Sequence, residues 1–282
     1  MPELPEVEAA RLMIEGALVG KRLAVVIVRP DAIVFGDVAP EALVSVLAGQ
    51  RVQGTGRRGK FLWLALEDGC LFLHFGMSGA VIELTGGENN AVNYYRRKRR
   101  RAAEPGEDPP YTKLRLRADD GAEIAFVDGR RLGRIWLGTS PESDRRVSRL
   151  GPDALSELPS ASRLHKMMQR RKTPIKALLL DQSFLAGIGN YLADEILLES
   201  RIAPARLAKD LSEAEAKRLR KAIQKVVRLA VDVEADYEKF PEDWLFHVRW
   251  GGSRGAETWR GHAIVRETIG GRTTAWVPDV QK

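Results

Sequence analysis

A single cysteine, Cys70, stands in a chain of 282 residues. That scarcity excludes a disulfide framework and any zinc site built from several cysteines. The thiol's neighbours Leu71, Phe72 and Leu73 form an apolar run, so a buried packing role is expected for it. The sequence also lacks an apolar run long enough to span a bilayer, and its N-terminus carries acidic residues where a secretion signal would carry basic ones. These absences point to a cytoplasmic, nucleoid-associated chain with no membrane partner. No His, Asp and Glu cluster has metal-ligand spacing, which argues against a metal-dependent nuclease. Neither a metal nor a cofactor is expected.

What is present in excess is positive charge. Forty-five Lys and Arg residues against 38 Asp and Glu give a formal charge of +7. Such a balance favours a polyanionic partner, nucleic acid before an anionic membrane. The length makes two domains the prior expectation.

Periodicity divides the chain into regions. Val7, Ala10, Arg11, Ile14 and Leu18 recur at helical spacing, and Pro5 with the acids Glu3 and Glu6 suits a helix start. Short β-rich runs follow at 23–28, 61–66, 70–75 and 80–84, interrupted by a short helix at 40–47, and strands resume at 113–117 and 123–127. An antiparallel sandwich or barrel is predicted, with the first helix at its edge. Residues 55–60, with Gly56, Arg57, Arg58, Gly59 and Lys60, read as a flexible basic turn whose three cations could hold phosphate. Residues 88–110 contain the run Arg96 to Arg101 and almost no apolar side chain, so a mobile loop is expected there. Residues 141–162, rich in Ser, Pro and charge, read as a linker. Helices are then expected at 164–170, 175–180, 191–199 and 212–233, the last with a Ser212/Glu215 capping box. A β-hairpin with a Gly270-Gly271-Arg272 tip closes the chain. The predicted class is α+β: an N-terminal antiparallel β-sandwich domain over 1–140, a linker over 141–162, a helical domain over 163–244 and a hairpin finger over 245–282.

Chemistry concentrates at the start, in Met1-Pro2-Glu3-Leu4-Pro5-Glu6-Val7-Glu8. Removal of Met1 would make Pro2 a terminal secondary amine, and terminal amines have pKa values of about 7.7–8.0, so a useful fraction is neutral near pH 7. Attack by such an amine on a sugar's anomeric carbon gives an iminium that has no N–H to lose. Two nearby carboxyl groups could shuttle protons.

This octet resembles the N-terminus of the formamidopyrimidine-DNA glycosylase and endonuclease VIII family, and four further segments resemble that family in order. The resemblance implies a bifunctional DNA glycosylase and AP lyase with a helix-two-turn-helix, acting as a monomer on damaged double-stranded DNA. It gives Pro2 the role of nucleophile, Glu3 that of acid and base, and Glu6 that of a supporting carboxylate. Lys60 matches a lysine that donates a proton or clamps phosphate. The segment from His74 to Ala80 is similar to the one whose methionine fills the space left by a flipped nucleotide, which maps to Met77, with His74 in the same DNA-facing segment. Asp128-Gly129-Arg130-Arg131-Leu132 resembles a stretch that faces the orphaned opposite base with an arginine, here Arg130, and follows it with an aromatic wedge, here replaced by Leu132.

In the second half, Gly187-Ile188-Gly189-Asn190 precedes a helix, where free backbone N–H groups favour phosphate. By resemblance, Lys176, Gly189 and Asn190 belong to the phosphate-gripping helix-two-turn-helix, and Arg272 to the grip at the finger tip. The family's zinc-ligand positions carry Glu257, Arg260, Val277 and Val280, which implies a zincless finger held by Trp250, Trp259 and Trp276. The segment 232–246 is shorter than the family's usual one and lacks its glycine-rich loop, which implies a relaxed lesion range. The rival reading is a noncatalytic nucleic-acid-binding protein, since charge and the Gly187 to Asn190 turn would serve it equally.

Overall fold

In the computed structural model the described residues are 2–36, 38–85, 108–250 and 257–282. The Arg96 to Arg101 run and most of the segment expected to be a loop lie outside them, as does Met1. The chain divides into two compact units, one of residues 1–149 with 234–237, the other of 150–233 with 238–282. The border at Arg149/Leu150 lies within the stretch read as a linker. The helices beyond residue 150 and the hairpin finger share one unit, and residues 234–237, after the last long helix, belong with the N-terminal unit.

The first unit opens with α1 (Leu4–Leu18). Glu3 sits at its N-cap in a capping box with Glu6, and the Glu3 N–H donates to Glu6 Oε2 at 2.8 Å. Beyond β1 (Leu23–Val28) come α2 (Ala32–Phe35), which Asp31 caps by accepting from Ile33 N and Val34 N, and α3 (Pro40–Leu47). The strands β2 (Val52–Arg58), β3 (Phe61–Leu66), β4 (Cys70–His74), β5 (Ala80–Glu83), β6 (Thr112–Ala118), β7 (Glu123–Val127) and β8 (Arg134–Gly138) then build two antiparallel four-stranded sheets, ordered β1-β6-β7-β5 and β2-β3-β4-β8. Alternation drives this layering: Leu62, Leu64 and Leu66 of β3, and Leu114 and Leu116 of β6, turn inward while their neighbours turn out. Their core also takes Val7, Ala10, Ile14 and Leu18 from α1. The other face of the β2-β3-β4-β8 sheet buries Phe72, Trp136, Val147 and Cys70, and burial raises the pKa of the Cys70 thiol, in keeping with packing.

Two sequence expectations are corrected here. The stretch 55–58 is not a loop but most of β2, paired residue for residue with β3. Its glycines hid the strand; Gly56 is there because an added Cβ would come within 2.4 Å of the Trp63 ring. The strand β8, unseen among charged residues, pairs with β4 from Cys70↔Gly138 to His74↔Arg134.

The second unit contains α4 (Ala161–Met168), α5 (Ile175–Leu180), α6 (Asn190–Ser200) and α7 (Glu213–Asp232). Ser212 and Glu215 form the capping box of α7, and α7 buries Ala216, Leu219, Ile223, Val226, Val227 and Ala230. Short pairs β9 (Thr258–Trp259) and β10 (His262–Ala263) precede the hairpin of β11 (Val265–Ile269) and β12 (Arg272–Trp276). Gly270 and Gly271, at φ +60° and +72°, supply the two left-handed residues that such a two-residue turn needs.

Candidate DNA-repair site

The fold of the first unit gathers the N-terminal residues at the start of α1. Pro2 is half-buried, whereas Glu3 and Glu6 are almost fully buried. The reciprocal cap fixes both carboxyl groups in the turn that follows Pro2. Tyr237 Oη donates to Glu6 Oε1 at 2.9 Å, so a residue of the 234–237 stretch within the same unit adds to the surroundings of Glu6. Burial, and after it the Glu3 charge, push the Glu6 pKa up; the Glu3 N–H and the Tyr237 hydroxyl pull in the opposite sense. A buried carboxyl group with a raised pKa and a fixed donor set is suited to carry a proton. Tyr237 was missed because nothing in 232–246 marks one tyrosine as returning to α1.

Lys60 occupies the β2–β3 turn, beside His74 and Arg134 at the sheet end. Burial, then the charges of Lys60 and Arg134, lower the His74 pKa to about 4. His74 is therefore neutral near pH 7, and its Nδ1 accepts the Gly76 N–H at 3.3 Å, which leaves the ring proton on Nε2. The phosphate role for all three cations of this turn does not hold. Arg57 is inward, pairing through Nε with Glu8 at 2.8 Å and donating through Nη1 to Gly59 O at 3.0 Å, so it shapes the turn.

Met77 and Leu132 stand on neighbouring loops and are among the exposed apolar side chains, at 38% and 39%. The loops touch at Gly76 (φ +57°), where an added Cβ would lie 2.2 Å from Leu132 O. Asp128, fully buried, holds both: it accepts from Ser78 Oγ and Gly133 N at 2.6 Å each and from Arg130 N at 3.2 Å. Sequence reading treated Asp128 only as a motif letter. Arg130 itself is exposed and has no side-chain hydrogen bond among the described residues. Arg131 instead pairs with Asp31, and that contact, with Lys113, holds the Asp31 carboxyl well below its usual range despite burial.

In the second unit the α5–α6 connection is tied by Gln182, which accepts from Gly187 N at 3.0 Å and donates to Ile188 O at 2.9 Å. Gly189 is the N-cap of α6. Asn190 Nδ2 donates to Thr273 O at 2.9 Å, next to the exposed Arg272, and Gly270 packs against Ala177 of α5. The finger tip and the helix-two-turn-helix thus meet. Lys176 requires a correction: it is fully buried, its Nζ pairs with Asp194 and donates to Asn190 O at 3.0 Å, and a direct phosphate contact would need it to leave that pocket. Asp194 also pairs with Arg249 and accepts from Ala275 N at 3.4 Å. Beside it, burial raises the Glu195 pKa to about 8 while the N–H groups of Phe246 and Leu245 hold its carboxyl.

The finger contains Leu245, Ile264, Ala275 and Val277, with Val248, Trp259 and Val280 packed on them. Val277 and Val280, at two positions that the resemblance assigns to metal ligands, are hydrocarbon and part of this core. Arg260 pairs with Asp243. No group of three His, Cys, Asp or Glu side chains among the described residues could hold a metal. The tryptophan expectation is partly corrected: Trp259 packs and donates to Asp243 O at 2.6 Å, but Trp250 is 63% exposed.

The Formamidopyrimidine-DNA glycosylase N-terminal domain family matches residues 1–135, and the Formamidopyrimidine-DNA glycosylase H2TH domain family matches 150–241. The chain belongs to the formamidopyrimidine-DNA glycosylase family. A formamidopyrimidine-DNA glycosylase of Arabidopsis thaliana is 39% identical over 285 residues, covering 100% of this chain and 71% of that protein. One of Geobacter metallireducens is 31% identical over 286 residues with full coverage of both. Among solved structures, that of Lactococcus lactis formamidopyrimidine-DNA glycosylase bound to DNA containing an AP site superposes with a TM-score of 0.80 at 22% identity, covering all of both chains. That likeness establishes the fold: an N-terminal β domain, a helical helix-two-turn-helix domain and C-terminal hairpins. No described helix of this glycosylase-family chain is long and apolar enough to cross a membrane.

Proposed function

We propose that the chain is a bifunctional DNA glycosylase and AP lyase that removes oxidised bases from double-stranded DNA in base excision repair. The observation that carries this reading is the placement of Pro2, partly open to solvent, directly before two buried carboxyl groups that cap one helix. With Met1 removed, the neutral Pro2 nitrogen attacks C1′ of a flipped nucleotide and the base departs with the bonding electrons and the amine proton; the C1′–O4′ bond then breaks, O4′ takes a proton, and a ring-opened, charged iminium remains. Glu3 moves protons for this step and Glu6 supports the sugar. Loss of a C2′ proton then expels the 3′ phosphate by β-elimination. Lys60 acts as proton donor or phosphate clamp, and neutral His74 with Met77, Arg130 and Leu132 faces the DNA. In the other unit, Gly189, Asn190 and Arg272 bind phosphates, and Lys176 supports them from below. The finger works without metal, and the protein acts as a monomer in the cytoplasm, on nucleoid DNA. A relaxed lesion range, with 8-oxoguanine removed more slowly than formamidopyrimidines, follows from the short 232–246 segment and the aliphatic Leu132.

Borohydride reduction on an abasic-site duplex tests the central step. An adduct mapping to the N-terminal peptide is expected. Binding without any adduct would favour a noncatalytic nucleic-acid-binding protein, and an adduct mapping to a lysine would overturn Pro2 as the nucleophile.

A further inference from the structure

The outer face of the helical unit carries charge that none of the chemistry above uses. Between Ala216 and Val231 the sequence has six cations, Lys217, Arg218, Arg220, Lys221, Lys225 and Arg228, and no acid. Arg218 and Lys225 have acidic partners in Glu215 and Glu199, and Arg220 Nε donates to Pro159 O at 2.8 Å. Lys217, Lys221 and Arg228 have no acidic partner among the described residues and are exposed. At about 100° per residue they fall within roughly 40° of arc, on the side of α7 opposite its buried stripe of Leu219, Ile223, Val226 and Ala230.

α7 packs against both α4 and α6. The buried stripe therefore looks toward α6, whose N-terminus bears Asn190, and the three cations look away from it. On α4, the buried side chains are Leu164 and Met168, and the exposed Arg163 and Lys166 project away from them, again without an acidic partner among the described residues. Two neighbouring helices thus turn unpaired cations outward.

We propose that this α4–α7 face is a second nucleic-acid-binding surface, one that holds the backbone of another DNA segment while the first occupies the repair site. Nucleic acid fits better than an acidic protein because of regularity. With a rise of 1.5 Å per residue, Lys217 to Lys221 spans about 6 Å and Lys221 to Arg228 about 10.5 Å, roughly two and three phosphate steps of 3.4 Å. The surface has no apolar anchor at these positions, as a protein interface would need for its core, and cations that contact the phosphate backbone bind it irrespective of sequence. Such a site lets a repair protein pass between segments without first releasing one.

The test uses the whole protein. Covalent adduct with a short abasic-site duplex, made by borohydride reduction, is purified and mixed with a labelled undamaged duplex at low salt. The native adduct should bind this second duplex, and Lys217→Glu/Lys221→Glu/Arg228→Glu should weaken that binding at least tenfold. The corresponding Gln triple should lower its log-log salt slope by about 3, close to 1 per cation removed. Single-turnover excision on the short duplex should stay unchanged in both variants, which also reports intact folding. A native adduct that holds no second duplex, a charge-reversed adduct that holds it equally well, or one that prefers polyglutamate to DNA would overturn the proposal. Should no adduct form, the glycosylase reading fails by itself; the same titration on protein saturated with an abasic-analogue duplex then decides the second surface.

Discussion

Glu6 in the first unit and Asp194 in the second are both buried carboxyl groups, and the two are treated in opposite ways. Glu6 is buried beside another acid, Glu3, so its proton is held more firmly than in water, although the Glu3 N–H and the Tyr237 hydroxyl donate to it. Asp194 lies between two buried cations, Lys176 and Arg249, and touches the hairpin through Ala275 N. A buried acid whose pKa is raised is poised to exchange a proton. One locked between counterions is a fastener. The contrast separates a carboxyl group suited to proton exchange from one that fastens the helix-two-turn-helix and the hairpin together.

The largest expected effect strikes the chemical side. Glu3→Gln should slow single-turnover excision by about 10²–10⁴-fold, the usual worth of a positioned acid or base, with the circular-dichroism melt nearly unchanged. A loss of only a few fold would move the proton transfers to another group. On the fastening side, Asp194→Ala leaves two cations buried without their partner and should destabilise the protein by about 3–5 kcal/mol in chemical denaturation. Excision at saturating protein should persist for the fraction that stays folded. If Asp194→Ala left stability intact but abolished excision, the contrast would collapse.

A smaller effect concerns pH. The Glu6 pKa is raised in the folded chain, so its contribution to stability is complete below its ordinary value of 4.5 and is lost as pH rises through the folded value. Unfolding free energy should therefore decline above pH 4.5 with a slope of at most about 1.4 kcal/mol per pH unit from this group. Glu6→Gln should flatten that part of the profile. Tyr237→Phe, which removes a donor that favours the carboxylate, should extend the decline to higher pH and destabilise by about 1–3 kcal/mol where Glu6 is ionised. Arg272→Ala should lower the log-log salt slope of DNA binding by about 1 and leave the rate at saturation alone. Finally, chelators should leave excision unchanged, because Val277 and Val280 give the finger a hydrocarbon core where ligand atoms would be needed; elemental analysis finding one zinc per chain, lost together with activity, would refute this.

Much of this was legible in the linear sequence. Strands such as 23–28 and 61–66, and the Ser212/Glu215 cap, depend on neighbours along the chain, and local rules locate them to the residue. For the opening Pro2 and Glu3, and for the valines at 277 and 280, family resemblance together with side-chain chemistry carries the expectation. Tertiary structure decided where distant segments return. Gly56 made β2 look like a loop until Trp63 packed over it. Lys176 matches a phosphate-gripping position in sequence, but Asp194, 18 residues on, pairs with it in the interior, and Tyr237 has no assigned part until it reaches Glu6, 231 residues away. Burial and counterion are properties of three-dimensional neighbours, and they determine whether the same charged side chain grips a ligand, moves a proton or fastens the fold.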